Sequence, residues 1–304
     1  MNKCLLTGLA LVTLGVGSAT AADLRKAPIR KAPPPPPAFD WSGCYGGFNG
    51  GVANNRANVT LSPSGNYLTP AVVPSPPNAA GSGLLPGDIA LVTKSFRSRD
   101  SGSGIVGVQV GCNRQVGQFV FGGEADIDLV GHGWTRSATS PAIGSVNPAF
   151  GIGAQTDSTS ARANWLSTVR GRVGFAAADR FLIFVTGGAA IADIRSSTTV
   201  AFGPPAGGLL PVLSGATHVG SVSDTRVRPI VGAGAEFAFT DKWSFKVEYL
   251  FTDLGHINHV LPLTAPPGVA AGYSWNANVS WHEQIFRVGL NYRFDWAPQV
   301  FAKY

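Results

Sequence analysis

Three stretches of this chain place charged side chains at alternate positions. They are Glu124, Asp126 and Asp128 in FVFGGEADIDL, Arg170 and Arg172 in WLSTVRGRVGF, and Lys246 and Glu248 in WSFKVEYL. VGAGAEFAF adds Glu236, and FRVGLNYRF adds Arg287, Asn291 and Arg293. Residues two apart share one face of a β-strand, so each stretch reads as a charged face backed by an apolar one. Brought together, such rows can do two kinds of chemistry. Along a water path they would select ions or supply catalytic carboxylates; dry and paired, they would form a salt-bridged plug. The inventory is five acids (Glu124, Asp126, Asp128, Glu236, Glu248) and five bases (Arg170, Arg172, Lys246, Arg287, Arg293). That balance favours the plug, because a buried charge is tolerable only when paired and hydrogen-bonded.

Other chemistry finds little support. His132, His218, His256, His259 and His282 fall in expected loops or at strand ends, and the H-x-x-H spacing of His256 and His259 has no third His or Cys nearby to complete a metal site. G-x-S-x-G, Walker and C-x-x-C patterns are absent. No catalytic, cofactor-binding or metal-binding residue is therefore assigned. A net charge of +6 without a basic aromatic face gives no case for nucleic acid.

The elements that must position these charges are strands. Alternation of period two picks out eight segments, at about 41 to 53, 103 to 115, 117 to 130, 162 to 177, 181 to 195, 226 to 240, 243 to 257 and 282 to 294. Each is long enough to cross a bilayer as a tilted strand of about 9 to 11 residues. Joints near Val116, at 178 to 180 and at 241 to 242 are short, whereas 54 to 102, 131 to 161, 196 to 225 and 258 to 281 are long. This strict alternation is the wiring of an outer-membrane barrel. The chain is 44% hydrophobic and 13% charged, yet beyond its N-terminus it has no long uncharged apolar run, which excludes a helical membrane protein. The expected fold is all-β, an eight-stranded antiparallel up-and-down transmembrane β-barrel with long extracellular loops. Parity sends Phe119, Phe121, Val169, Val173, Phe245 and Val247 to lipid and the charges inward. An eight-stranded interior is just wide enough for side chains to fill.

The ends divide further. Residues 1–21 read as a signal peptide with small residues at Ala19 and Ala21, 22–40 as a proline-rich periplasmic linker, 41–294 as the barrel and 295–304 as a C-terminal tail. Arg25, Lys26, Arg30 and Lys31 of the linker can touch an anionic surface, or are simply solvated. Outside the cytoplasm a disulfide is permitted. By parity Cys44 and Cys112 face outward near the ends of neighbouring antiparallel segments. They form a cross-strand disulfide if their Cα atoms come within about 7 Å, and are otherwise two small apolar residues.

Taken together, DWSGCYGGFNGG (40 to 51), GVQVGCNRQVGQFVFGGEADI (107 to 127), TVRGRVGFAAADRFLIFVTGGAAIAD (168 to 193), VGAGAEFAFTDKWSFKVEYLFTDLG (231 to 255) and FRVGLNYRF (286 to 294) resemble the alphaproteobacterial small outer-membrane β-barrel family of porin-family and surface-antigen proteins. The resemblance implies an abundant barrel in the outer membrane of a Gram-negative bacterium, with envelope-integrity and host-facing roles and no catalytic residues or cofactors. Its implied partners are outer-membrane lipid and lipopolysaccharide, the outer-membrane assembly machinery and, through the linker, the cell wall. Cys44, Cys112 and Arg114 stand where such proteins usually carry aromatics, and the chain continues past Phe294, the aromatic that would close the last strand. The competing expectation is a small-solute porin with a narrow channel.

Overall fold

The computed structural model describes residues 39–68, 84–98, 101–131, 133–144, 151–204, 213, 215–265 and 272–294. The expected signal peptide, residues 22–38 of the linker, His132 and the tail 295–304 lie outside the described residues.

Eight long strands carry the chain: β1 Gly43–Gly65, β2 Ser101–Val116, β3 Phe119–Val130, β4 Gln155–Ala178, β5 Phe181–Phe202, β6 Thr217–Ala238, β7 Trp243–Ala265 and β8 Tyr273–Arg293. Each pairs antiparallel with its sequence neighbour, and β8 returns to β1 with Tyr45 opposite Arg293 and Gly65 opposite Tyr273. The ring is closed, so every strand has a partner on both sides. A closed barrel is the strand arrangement that satisfies its backbone in lipid. Tight connections join β2 to β3, β4 to β5 and β6 to β7 at one end of the barrel, the turn end. Gly117 supplies the left-handed φ of +61° that the two-residue β2–β3 turn requires. Among the described residues no helix is long and apolar enough to cross a membrane; Pro86–Val92 makes a short one beside β1.

Seven of the eight strands are longer than the alternation predicts, up to 24 residues in β4, whereas β3, at 12 residues, falls just short of its 117–130 segment. Much of what reads as long loops in 54 to 102, 131 to 161, 196 to 225 and 258 to 281 is strand. The physical reason is an inversion of pattern partway along the six longest strands, β1 and β4 to β8. Near the turn end the outward side chains are large and apolar, among them Phe48, Val106, Leu129, Val169, Val185, Val231, Phe245 and Phe286. Further out they become Asn54, Asn58 and Thr60 in β1, Ser158, Ser160 and Arg162 in β4, Ser221 and Ser223 in β6, and Asn276 and Asn278 in β8. Inward positions change the opposite way, from charged to Val59, Leu61, Leu166, Ile194, Ile257, Leu261, Trp275, Val279 and Trp281, all buried. Below, the barrel is built for lipid outside and charge inside; above, for water outside and an apolar core inside.

One seam departs from the ring. The β6–β7 ladder is registered from Ile230 opposite Thr252 to Ala238 opposite Ser244 and again at Thr217 and His218, with an interruption between. Pro229, which has no amide hydrogen to give a ladder, and Gly255, at φ +79° in a bulge, flank the break. Arg226 spans it, donating from Nη1 to the His256 carbonyl at 2.6 Å.

At the top of the apolar core His218 is fully buried between Tyr67, Phe202 and Trp275, and its Nε2 shares a 2.9 Å hydrogen bond with the Tyr67 hydroxyl. This site lies well above the lipid-facing belt. Desolvation there pushes the imidazole down to about 4 from its ordinary 6.5. The opened state therefore binds an extra proton between those values, and stability that is full above about 6.5 is lost as the pH falls toward 4. Amide protection factors around Tyr67 and Trp275 are expected to fall through that window in the native chain and to change less in His218→Gln, as measured by hydrogen exchange.

Candidate functional site

The charged residues singled out by parity come from β3, β4, β6, β7 and β8, and the barrel brings all but one of them into one dry layer. Arg170 of β4 donates from Nη1 to Glu248 Oε1 at 2.6 Å, and from Nη2 to Glu124 Oε1 at 2.6 Å and Asp126 Oδ2 at 2.7 Å. Its Nε donates to Thr168 Oγ1 at 2.8 Å. Arg287 of β8 reaches Glu248 Oε2 at 2.8 Å, Asp128 Oδ2 at 2.8 Å and Asp126 Oδ2 at 2.6 Å. Lys246 places Nζ 2.7 and 2.8 Å from the two oxygens of Glu124 and 2.9 Å from Gln109 Oε1. Arg172 donates to Glu236 Oε2 at 2.8 Å and to the Tyr45 hydroxyl at 3.0 Å, and lies over the Phe184 ring 4.1 Å from its centroid. Tyr45 in turn donates to Glu124 at 2.6 Å.

Each of these charged side chains is 5% exposed or less. Charge-assisted hydrogen bonds of this length are the strong kind, and guanidinium forks satisfy several carboxylates at once. Neutral partners complete the layer: Ser244 and Asn291 donate to Glu236 at 2.6 and 2.9 Å, and Gln109 donates to Asn291 at 2.6 Å. Room for the long side chains comes from glycine. A Cβ at Gly111 would sit 2.5 Å from the Tyr45 hydroxyl and 2.6 Å from its Cζ. Beneath the layer, Trp41, Val120, Leu182 and Ala238 form an apolar floor with Phe39 packed against it. A recess of about 20 Å³ between floor and network has room for about one water.

Arg293 does not join the network. It lies at the turn-end rim, where Nη2 donates to the Asp241 carbonyl at 2.7 Å and Nη1 to the Asp40 carbonyl, with the guanidinium 4.7 Å from the centre of the Phe39 ring. Parity is right about its face, but as the last residue of β8 it has no barrel interior left to point into. The layer thus holds five carboxylates, Glu124, Asp126, Asp128, Glu236 and Glu248, against four cations, Arg170, Arg172, Lys246 and Arg287.

Glu283 widens that excess. It is 0% exposed, one turn of the pleat above Ile285, and neither carboxylate oxygen has a hydrogen-bond partner among the described residues. It lies inside the 282 to 294 segment, but faces are assigned there only from Phe286 onward; one inward step past Ile285 reaches Glu283.

Cys44 and Cys112 are directly opposite in the β1–β2 register and are joined by a disulfide. Cys112 faces outward and is exposed. Among the described residues His218, His256, His259 and His282 lie on strands, where loops or strand ends are expected; His256 faces out and His259 in, so the H-x-x-H pair cannot share a ligand.

The sequence pattern of the family described as "Outer membrane protein beta-barrel domain" matches residues 10–294. A 31 kDa outer-membrane immunogenic protein of Brucella melitensis biotype 1 is 30% identical over 278 residues, 91% of this chain and 94% of that one. The protein of the same description from Brucella suis biovar 1 matches equally. Among solved structures, the outer membrane protein OprG of Pseudomonas aeruginosa aligns over 84% of this chain and 98% of its own, with 8% identity and a TM-score of 0.41.

Removing one partner of the network leaves its counter-charges buried and unpaired, which costs about 3–5 kcal/mol. Arg170→Ala is therefore expected to lower markedly the temperature at which the folded band converts in heat-modifiability electrophoresis. Glu283→Leu is expected to do the reverse by about 1–3 kcal/mol, since it removes an unsatisfied buried polar group from beside Ile285; chemical denaturation in detergent checks the sign.

Proposed function

Because the chain belongs to the outer membrane protein β-barrel domain family and sits in the outer membrane of a Gram-negative bacterium, we propose that it is a closed, non-enzymatic barrel with an envelope-supporting and surface-interaction role. The single observation that carries this reading is the buried network of Glu124, Asp126, Glu248, Arg170, Lys246 and Arg287. Each cation of this buried network is already held by at least one carboxylate, and an ion crossing the layer would have to displace these pairs. The same pairing speaks against catalysis, since a carboxylate held by two or three cations is a poor base and has no substrate access.

The surface part of the reading rests on the upper barrel. Extended strands with Ser, Thr, Asn and Arg outward carry a stiff polar wall away from the lipid belt. The Brucella relatives are described as immunogenic, which suits a protein displayed at the cell surface. Contacts with the assembly machinery and, through the proline-rich linker, with the cell wall belong to the same proposal.

A narrow small-solute porin is the second reading. What favours it is the surplus of interior carboxylate, with Glu283 above the network, which would attract cations if a path opened. Single-channel recording of the refolded protein in planar bilayers separates the two, with Arg170→Ala and Lys246→Ala measured alongside. Silence in the parent is expected; steady cation-selective openings that shift in the variants would overturn the closed-barrel reading.

A further inference from the structure

Cys44 of β1 and Cys112 of β2 stand directly opposite each other and are bonded. The bond lies on the lipid side of the wall. Cys112 is exposed, Phe48 and Val110 stand outward above it, and Val116 and Phe119 remain apolar and exposed beyond it toward the turn end. On the other flank the Phe294 amide donates to the Cys44 carbonyl at 2.9 Å, and the Phe294 ring lies against Gly46. The two sulfurs therefore sit within the apolar belt and not below it.

That position decides when the bond can form. A disulfide is made by attack of a thiolate on another disulfide. A thiolate is costly to form in hydrocarbon, and an oxidant that carries its disulfide on a folded protein surface cannot reach a wall covered by lipid. Before insertion neither barrier exists, and both thiols are in a compartment where oxidation is permitted.

The strands it joins have little else to register them. Tight turns set the register of β2–β3, β4–β5 and β6–β7, whereas β1 and β2 are connected only through residues 66–100. Glycine makes up five of the nine residues of Gly43–Gly51 and recurs as Gly102, Gly104, Gly107 and Gly111 in the facing strand. Glycine-rich strands specify their register weakly, and a slip of one residue would turn the buried Asn49 and Gln109 out of the interior.

We propose that Cys44 and Cys112 are the substrate site of a periplasmic thiol–disulfide oxidoreductase that closes the bond on the unfolded chain, and that the crosslink then does for β1 and β2 what a turn does for other pairs. One cysteine thiolate attacks the enzyme's disulfide and forms a mixed disulfide; the second cysteine then displaces the enzyme. Two electrons and two protons leave the chain, and the enzyme's disulfide becomes a dithiol.

The test uses the full chain carrying Cys4→Ser, so that only the two strand thiols are scored. The reduced chain is offered a purified periplasmic dithiol oxidase in its disulfide form, either unfolded in urea or already refolded into phosphatidylcholine vesicles, and free thiols are counted by maleimide gel shift. The unfolded chain should close its bond rapidly and the inserted chain at least about tenfold more slowly. Failure of the reduced chain to insert, where the oxidised chain inserts, would support the same order of events. Equal rates of closure in the two states would overturn the proposal. Cys44→Ala/Cys112→Ala should acquire the heat-modifiable band about fivefold more slowly than the oxidised chain; an equal rate would overturn the role given to the crosslink in setting register.

Discussion

The rest of the barrel depends on one constraint: nine charged side chains share one buried layer of the interior, so each must find its counter-charge within hydrogen-bond reach. Arg170 meets this by touching β3 and β7 at once, and Arg287 by touching β3 and β7 from β8. Of these bonds, Arg170–Glu248 and Arg287–Asp126 join non-neighbouring strands and run across the lumen, whereas the backbone ladders run around it. The network is therefore what joins opposite walls, and it does so in a low-dielectric layer where satisfied hydrogen bonds are strengthened and unsatisfied ones are costly. Small residues at Gly107 and Gly111 are part of the same solution, because any side chain there would intrude on Asp128 or Tyr45.

A second constraint is the change of medium along the six longest strands. Lipid demands an apolar exterior and leaves polar groups nowhere to go but inward; water above the membrane reverses both demands. β7 shows the switch within one strand: Phe245, Val247 and Phe251 face out beside the inward Lys246 and Glu248, then Asn258 faces out beside the inward Ile257 and Leu261. The bulge at Gly255 lies at this boundary, where the ladder to β6 is also interrupted. The ends are secured by different means. Below, Phe39 and Trp41 fold over the mouth and are held by Arg293, Arg180 and Gln115; on the outer face, the Cys44–Cys112 disulfide ties β1 to β2 near the same end.

Period-two alternation with a strong contrast was enough to make the eight strands, their order, and the inward face of Glu124, Asp126, Asp128, Arg170, Arg172, Glu236, Lys246, Glu248 and Arg287 legible, because side-chain direction in a strand is set by local backbone geometry alone. The upper halves were not legible as strands. Their outward Ser, Thr and Asn are the residues of turns as well as of solvated strands, and inward Gln155, Asp157, Thr159, Ser196 and Thr198 contrast weakly with them, so in Gln155–Ala161 or Ser196–Phe202 little local pattern distinguishes a loop from a stave.

Sequence by itself thus determined which faces exist and what chemistry each carries. Only the tertiary structure decided who meets whom: that Arg170 faces Glu248 across 78 positions of chain, that Arg293 falls past the end of the interior, that Glu283 has no hydrogen-bond partner among the described residues, and that Arg162 and Arg195 stand opposite each other. Pairing across a closed barrel depends on register and on the number of strands in the ring, and both are properties of the whole assembly of strands that no single segment encodes.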